Sequence, residues 1–245
     1  MDFSQLEKIS FGELKKMAKD MGLEIKRSRK EYITDIQKGF QEYESYLKNK
    51  VNKYSKIHQL GNKGKEGICF LVKDNKEKEF AMKTFRKAKS SNTLKTEYTL
   101  QKIAAAVGIA PRVVEYDSVS KYIVMEKMDK HLTDIMKKQK GNLTKAQQLR
   151  IIEIYQKLDE NLVFHGDSNI LNYMIKDNKI YIIDFGFSKE INEKFIKKIG
   201  TDKPNMTLMT LGFILKLREL KCPETSWKYL KKYVSNENIK KFQII

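Results

Sequence analysis

Two short polar motifs flank a predicted β-hairpin in the second half of the chain. Residues 165–172 (HGDSNILN) precede the hairpin, and residues 184–186 (DFG) follow it. Asp167, Asn172 and Asp184 carry oxygen atoms that serve proteins as metal ligands or proton acceptors. Because a hairpin brings its two ends together, the set suits Mg²⁺, which prefers oxygen ligands and is usually shared with substrate phosphates. Each residue alone fits an ordinary turn, but the whole set favours a metal site.

Two further segments carry residues that suit a phosphate-binding cleft. Lys83 lies among apolar neighbours in a predicted strand, so strand alternation directs it into an apolar cleft, where its charge needs a partner. Glu97 on the next predicted helix can supply that partner. Gly61, Gly64 and Gly67 lie between two predicted strands, and glycines let backbone N–H groups approach phosphate oxygens. Taken singly, Lys83 also fits a surface lysine, and glycine-rich hairpins are common, so neither segment decides a function alone.

The predicted elements around these residues change along the chain. Residues 10–22 and about 32–47 show helical spacing of apolar residues, with Ser10 and Gly22 suited to the ends of the first helix. Later strands are predicted over 68–72, 80–85, 112–116, 122–125, 173–175 and 180–183, and helices over 93–107, 131–139, 144–162 and most of the last 55 or so residues. The apolar positions of these last helices are Leu208, Leu211, Leu215, Leu217, Trp227, Leu230, Tyr233 and Val234. This order predicts an α+β fold with a strand-rich lobe, a helix-rich lobe and a cleft between them.

The charge is unevenly distributed over the 245 residues. The chain carries 49 basic and 31 acidic residues, a formal net charge of +18. This excess indicates an acidic partner: a nucleic acid, a phospholipid, a nucleotide or an acidic protein. Residues 151–186 reverse the balance, with three basic and six acidic residues. The acidic segment contains Asp167 and Asp184, and a local negative charge is what a cation site needs.

Cysteine content and hydropathy exclude several classes of protein. Cys69 and Cys222 are far apart and isolated, which argues against a disulfide framework or a zinc site and favours a reducing compartment. Neither a continuous apolar run of about 18 residues nor a secretory signal occurs. We therefore expect an intracellular protein, cytoplasmic or nuclear, with no membrane span.

The motifs occur in the order that is typical of protein kinases, and the chain resembles that superfamily. The glycine segment 61–67 precedes Lys83 and Glu97, residues 124–128 (VMEKM) resemble the hinge, and the two polar motifs follow. The resemblance implies a kinase-like domain over residues 54–245, with an N-lobe over about 54–126 and a C-lobe over about 127–245. Residues 1–50 form a separate helical unit in this interpretation.

The resemblance also implies a role for each residue, with ATP and Mg²⁺ as cofactors. In this interpretation, Lys83 holds the α- and β-phosphates and pairs with Glu97. Asp184 and Asn172 bind magnesium. Asp167 orients the attacking hydroxyl and accepts its proton. The remaining residues implied to bind the nucleotide are Gly61, Gly64 and Gly67 over the phosphates, Ala81, Met125 and Met174 around the adenine, and backbone groups of Glu126 and Met128 at its edge.

Several departures from the usual pattern bear on the substrate. The glycines do not follow G-x-G-x-x-G, and aligning Gly64 and Gly67 places Asn62 at the first position. Gly166 replaces an arginine, Asn169 replaces a lysine of most Ser/Thr protein kinases, and only 59 residues follow Gly186. The chain is therefore similar to compact atypical Ser/Thr kinases, such as those of the KEOPS complex or of large DNA viruses. If the kinase is viral, the virion is a further expected location. The expected acceptor is a protein, acidic if the basic charge selects it, and the alternative is a small-molecule alcohol.

The first 50 residues resemble a SAP-like helical motif, and such motifs bind DNA through phosphate contacts. The basic segment 26–30 supports this interpretation, whereas 11 basic and nine acidic residues over the whole unit give it little net charge. A helical cap or a protein-docking arm remains the alternative. A third interpretation of the chain is a pseudokinase tethered to nucleic acid.

Overall fold

The computed structural model describes residues 6–24, 26, 28–51, 53–61, 64, 66–86 and 88–242. The chain divides into two compact units. One comprises Met1–Ser55 with Asp74–Glu77, and the other comprises Lys56–Lys73 with Lys78–Ile245. Each unit has its own buried apolar cluster.

The N-terminal unit is a pair of helices that pack on each other. Helix α1 (Phe11–Asp20) begins after Ser10, as predicted. Ser10 forms a capping box with Glu13, in which the Glu13 N–H donates to Ser10 Oγ at 3.2 Å and the Ser10 N–H donates to the Glu13 carboxylate at 2.8 Å. Helix α2 (Arg29–Val51) follows. The core of the unit consists of Leu6, Leu14, Ala18, Tyr32 and Ile36. The predicted helical pair therefore rests on a small but closed apolar core.

The basic segment of this unit is partly used in internal contacts. Lys26 Nζ lies 3.2 Å from the Asp35 carboxylate, and the Arg29 guanidinium donates to the backbone carbonyls of Glu7 and Ile9. Arg27 lies outside the described residues, as do the side chains of Tyr43 and Leu47 in the second helix. The contacts of Lys26 and Arg29 stabilise the helical pair, and they add no support to DNA binding.

The strand-rich part of the second unit is a five-stranded sheet with one helix. Its strands are β1 (Tyr54–Leu60), β2 (Gly67–Asp74), β3 (Glu79–Phe85), β4 (Val113–Asp117) and β5 (Tyr122–Glu126), in the order β1-β2-β3-β5-β4. Helix α3 (Ser91–Ala106) connects β3 to β4 and begins at the N-cap Ser90. In the register, Lys83 stands between Cys69 of β2 and Ile123 of β5. The sheet therefore buries a lysine in its central strand.

Helices dominate the remainder of the second unit. Helices α4 (Leu132–Lys138) and α5 (Lys145–Glu160) lie between the first and second strands of a small sheet, which consists of β6 (Lys130–His131), β8 (Tyr173–Lys176) and β9 (Lys179–Ile182). Strand β7 (Val163–Phe164) pairs with β10 (Lys189–Glu190). Helices α6 (Glu193–Ile199), α7 (Thr210–Glu219) and α8 (Asn236–Lys241) follow, with 3₁₀ turns at Glu224–Ser226 and Leu230–Tyr233. The predicted α+β class, with strands first and helices later, is confirmed.

A continuous apolar core holds the helical part together. Tyr155 of α5, Tyr173 of β8 and Phe213 of α7 are fully buried, and the rings of Tyr173 and Phe213 meet edge to face at 5.0 Å. Trp227 is buried in this core as well, with 6% of its surface exposed. Two of the apolar positions expected in the last helices differ, since Leu208 and Tyr233 are more than 40% exposed. Among the described residues, no helix is both long enough and apolar enough to cross a membrane.

A buried polar network joins the end of α5 to the loop that follows β7. The Asp159 carboxylate accepts hydrogen bonds from the backbone N–H groups of Asn205 and Met206, both at 2.9 Å, and from the Asn205 amide at 2.6 Å. The Asn205 side-chain oxygen in turn accepts from the His165 N–H at 3.1 Å. Asn205 opens the π-helical turn Asn205–Met209, a rare conformation that is frequent at functional sites. The network fixes the backbone from which Asp167 projects.

We predict that Asp159→Ala lowers the free energy of unfolding by about 3 kcal/mol. The change leaves two buried backbone N–H groups and one buried amide without their acceptor, and each such loss costs about 1–3 kcal/mol. Urea denaturation of the variant and of Glu160→Ala measures the effect. Glu160 is the exposed neighbour on the same helix, and its removal is expected to change stability by less than about 0.5 kcal/mol. Equal stability of the two variants would contradict the prediction.

Candidate active site

The site is organised around the buried ammonium group of Lys83. Lys83 Nζ lies 2.6 Å from Glu97 Oε1 and 2.6 Å from Asp184 Oδ1, and only 11% of its side chain is exposed. Glu97 reaches this point from α3 and is 2% exposed. The structure therefore brings together Lys83, Glu97 and Asp184, which lie on a central strand, a helix and the DFG segment.

The electrostatics of this group favour its charged form. Burial disfavours the ammonium, but the carboxylates of Asp184 and Glu97 outweigh it and raise the pKa of Lys83. Burial also opposes the charge of Asp184, and the adjacent Lys83 ammonium outweighs it and lowers the pKa of that carboxyl. Asp184 is in the left-handed region, at φ 65°, and its carboxylate accepts from the Gly186 N–H at 3.4 Å. Asp184 is therefore a carboxylate anion at neutral pH.

The loop carrying Asp167 is shaped by close backbone approaches. Gly166 has φ +80°, and a Cβ at this position would lie 2.8 Å from the Phe187 carbonyl oxygen. This contact leaves no room for the arginine that the resemblance led us to expect. The Asn169 N–H donates to the Asp167 carboxylate at 3.0 Å, and the Asn169 side chain accepts from the Leu171 N–H at 3.1 Å. Asn169 is thus used to shape the loop, and Asp167 remains partly exposed.

The buried His165 ring supports the loop that carries Asp167. Its ring is fully buried, packs edge to face on Phe185 at 5.0 Å, and burial lowers the pKa of its imidazole. A neutral ring donates from Nε2 to the Ile183 carbonyl at 3.0 Å, which leaves Nδ1 to accept from the Asp167 N–H at 3.4 Å. His165 is therefore a structural support that connects its own motif to the second one, through its hydrogen bond to the preceding Ile183 and its packing on Phe185.

The β8–β9 hairpin brings Asn172 close to the DFG segment. Tyr173 pairs with Ile182 in the register, and the Ile183 N–H donates to the Asn172 carbonyl at 2.8 Å. Among the described residues, no three His, Cys, Asp or Glu side chains are arranged to hold a metal by themselves. One carboxylate and one amide nevertheless fit Mg²⁺, since this ion keeps several waters and takes its remaining ligands from substrate phosphates.

The three glycines of the segment between β1 and β2 lie among the described residues. Gly61 has φ +65°, and the Gly64 N–H donates to the Gly67 carbonyl at 2.9 Å. A Cβ at Gly67 would collide with the Thr84 carbonyl oxygen of β3, so the close approach of the two strands requires glycine there. Asn62, which we aligned with the first glycine of the usual pattern, lies outside the described residues.

Two of the residues expected around an adenine ring are neighbours in the five-stranded sheet, and Met174 belongs to the three-stranded sheet. Ala81 and Met125 are opposite each other in the register of β3 and β5, and Met125 and Met128 are buried, whereas Met174 of β8 is partly exposed. The Glu126 N–H already donates to the Arg112 carbonyl at 2.9 Å, and its carboxylate pairs with Lys176. Glu126 can therefore offer only its carbonyl oxygen to a ligand.

Residues that the sequence did not single out also take part in the site. Lys89 Nζ lies 2.6 Å from Glu97 Oε2, so Glu97 holds two lysines rather than one. Asn205 supports the loop of Asp167, although nothing in its sequence context marks it. Lys89 lies in a lysine-rich stretch, where one lysine does not stand out from the others.

Comparison with known proteins gives the family. A model described as the protein kinase domain matches residues 54–208, more than half of the chain. The chain belongs to the protein kinase superfamily. No curated protein matches it. The matched part of this kinase contains the sheet, α3, and both polar motifs, while α7 and α8 lie beyond it.

We predict that His165 makes the stability of the kinase sensitive to acid. Because the pKa of His165 is below its unfolded value of about 6.5, its contribution is complete above that pH. It is lost as the pH falls toward the folded pKa, since the unfolded state binds the proton first. Chemical denaturation between pH 7 and pH 5 should therefore give a steeper loss of stability for the wild type than for His165→Gln, by up to about 1.4 kcal/mol per pH unit.

His58→Gln is the control for this prediction, because His58 is exposed. Its pH profile should follow that of the wild type. Parallel profiles for the wild type and His165→Gln would contradict the prediction.

Proposed function

We propose that the protein is a Ser/Thr protein kinase that transfers the γ-phosphoryl group of ATP, with Mg²⁺, to a protein hydroxyl. The observation that carries this proposal is the buried Lys83 ammonium, held between Glu97 and Asp184 at 2.6 Å from each. A cation fixed in this way is preorganised for a phosphate chain. The protein kinase family is consistent with the same chemistry.

The phosphate end of the nucleotide has three groups of partners in the proposed complex. Lys83 binds the α- and β-phosphates, and the backbone of Gly61, Gly64 and Gly67 covers them. Asp184 and Asn172 hold the metal, which when bound neutralises charge on the transferred phosphoryl group. Little covalent work is left to the protein, so positioning and charge neutralisation supply the catalysis.

Asp167 is the residue proposed to act on the acceptor. Its carboxylate orients the attacking hydroxyl and accepts its proton as the bond to phosphorus forms. The backbone N–H of Asn169 holds one carboxylate oxygen at 3.0 Å, which leaves the other for the acceptor. The His165 ring beneath the loop keeps this geometry without itself transferring a proton.

The base of the nucleotide is proposed to bind between the sheet and β8. Ala81, Met125 and Met174 provide apolar surface for the adenine, while the Glu126 carbonyl and the Met128 N–H meet its polar edge. The Lys176–Glu126 ion pair lies beside this edge and fixes the hinge side chain away from the base. Recognition of adenine is then by shape and two backbone groups.

We predict that Asp167→Ala and Asp184→Ala each lower the rate of phosphoryl transfer by about 10³-fold or more, a barrier increase of roughly 4 kcal/mol. Both side chains act on the transition state, through the acceptor and through the metal. Transfer from radiolabelled ATP measures the rate. Asp20→Ala, an exposed carboxylate of α1, is the control and should retain wild-type activity. Unchanged transfer by either active-site variant would refute the mechanism.

The acceptor class requires its own experiment, because Asn169 stands where most Ser/Thr protein kinases have lysine. We predict phosphorylation of Ser or Thr in the protein itself and in model proteins, with acidic proteins preferred because the kinase carries a net charge of +18. Labelled ATP with an acidic protein, a basic protein and a panel of small alcohols, followed by mass spectrometry, identifies the acceptor. Labelling of an alcohol alone would favour the small-molecule alternative, and no turnover with any acceptor would favour a pseudokinase.

A further inference from the structure

Lys89 and Glu66 lie outside the motifs that define the proposed active site, yet they connect its parts. We infer that they form a latch, an ion-pair connection that holds Glu66, next to the start of β2, against α3 and the DFG segment, and that Lys89 is a positioning residue for the nucleotide site. The latch itself is a property of the folded chain. Its effect on catalysis rests on the proposed function.

The latch is centred on Glu97, whose two carboxylate oxygens bind different lysines. Oε1 lies 2.6 Å from Lys83 Nζ, and Oε2 lies 2.6 Å from Lys89 Nζ. The same Lys89 ammonium lies 2.6 Å from Glu66 Oε2, next to the glycine segment. Only 8% of the Lys89 side chain is exposed, compared with 35% for Glu66. Lys89 is therefore a buried cation shared by two carboxylates.

The position of Lys89 is fixed by its surroundings. Its N–H donates to the Arg86 carbonyl at 3.0 Å, and its carbonyl accepts from Lys121 Nζ at 2.7 Å. The Phe85 ring lies 4.6 Å from the Lys89 ammonium and 5.1 Å from the Lys83 ammonium, so both cations contact one aromatic side chain. A side chain held in this way loses little further entropy when it binds a partner, in contrast to a surface lysine.

Glu66 connects the latch to the two loops that handle phosphate. Its backbone carbonyl accepts from the Arg86 N–H at 3.1 Å, so a hydrogen bond connects Glu66 to the end of β3. Its carboxylate lies directly over Gly186, where a Cβ would collide with Glu66 Oε2. The contact therefore places the Glu66 side chain against the DFG segment.

The charges explain why Lys89 is needed. Glu66, Glu97 and Asp184 bring three negative charges to this region, and Lys83 alone balances only one of them. With Lys89 present, two ammonium groups balance two of the three negative charges, and Glu66 repels a nucleoside triphosphate less than it would without this cation. Lys89 thus holds Glu66 in place and lowers its repulsion of phosphate.

Hydrogen–deuterium exchange of the whole chain without nucleotide tests the latch. In Lys89→Met, we expect the amides of residues 66–71 to exchange about tenfold faster than in the wild type, because Glu66 loses its connection through Lys89 to Glu97. Lys95 is an exposed lysine of α3, the helix that carries Glu97. The control variant Lys95→Met should therefore leave this exchange unchanged. Glu66→Gln breaks the tie and leaves the Lys83–Glu97 pair in place, so it should accelerate the same amides even if Lys89→Met folds poorly. Wild-type exchange in Glu66→Gln would overturn the latch.

Steady-state kinetics tests the consequence for nucleotide binding. Lys89→Met should raise the KM for ATP about tenfold with a smaller change in kcat, and adding Glu66→Gln to it should recover part of the loss, since the unpaired carboxylate is gone. Additive effects of the two changes would overturn the role of Lys89. Absence of phosphoryl transfer by the wild type would refute the proposed function, and the exchange experiment would still decide the latch.

Discussion

A buried lysine is the constraint on which the organisation of this kinase depends. An ammonium group removed from water is costly unless carboxylates surround it, and Lys83 has two at 2.6 Å. These carboxylates come from α3 and from the DFG segment, so a strand, a helix and a loop far apart in sequence must meet at one point. The free-energy cost of burying the Lys83 charge is offset only when the strand, the helix and the loop are all in their native positions. The ion pairs therefore favour the correctly folded arrangement.

The loop of Asp167 depends on a second set of buried polar contacts. Hydrogen bonds run from Asp159 at the end of α5 through Asn205 to the backbone of His165, and from the His165 ring to Ile183. The two polar motifs are therefore held by one network that begins outside both of them. A π-helical turn at Asn205–Met209 presents these groups, which gives this unusual conformation a structural purpose. Support of this kind restricts the positions that the Asp167 carboxylate can take.

The departures from the usual kinase pattern have local physical causes. Gly166 approaches the Phe187 carbonyl too closely for any side chain, and Asn169 uses its backbone and its side chain to close the loop. Both residues therefore have a structural role in this loop. In this kinase, close backbone packing at Gly166 and the hydrogen bonds of Asn169 stabilise the loop. The ion pairs of Lys89 with two carboxylates stabilise the region around Glu97.

From the sequence alone, the family and the α+β class could be predicted, and both are confirmed. Motif spacing, alternation and helical period are local properties, so they also predicted Lys83, Glu97, Asp167, Asn172 and Asp184 as site residues, Ser10 as a helix end and Trp227 as an apolar core position. The contacts of Lys89 with Glu97 and Glu66, the support of His165 by Asn205, and the exposure of Leu208 and Tyr233 are visible only in the folded chain. In a chain with 49 basic residues, no local signal selects which lysine is buried. That choice depends on contacts between segments distant in sequence, and on the burial that makes each ion pair necessary.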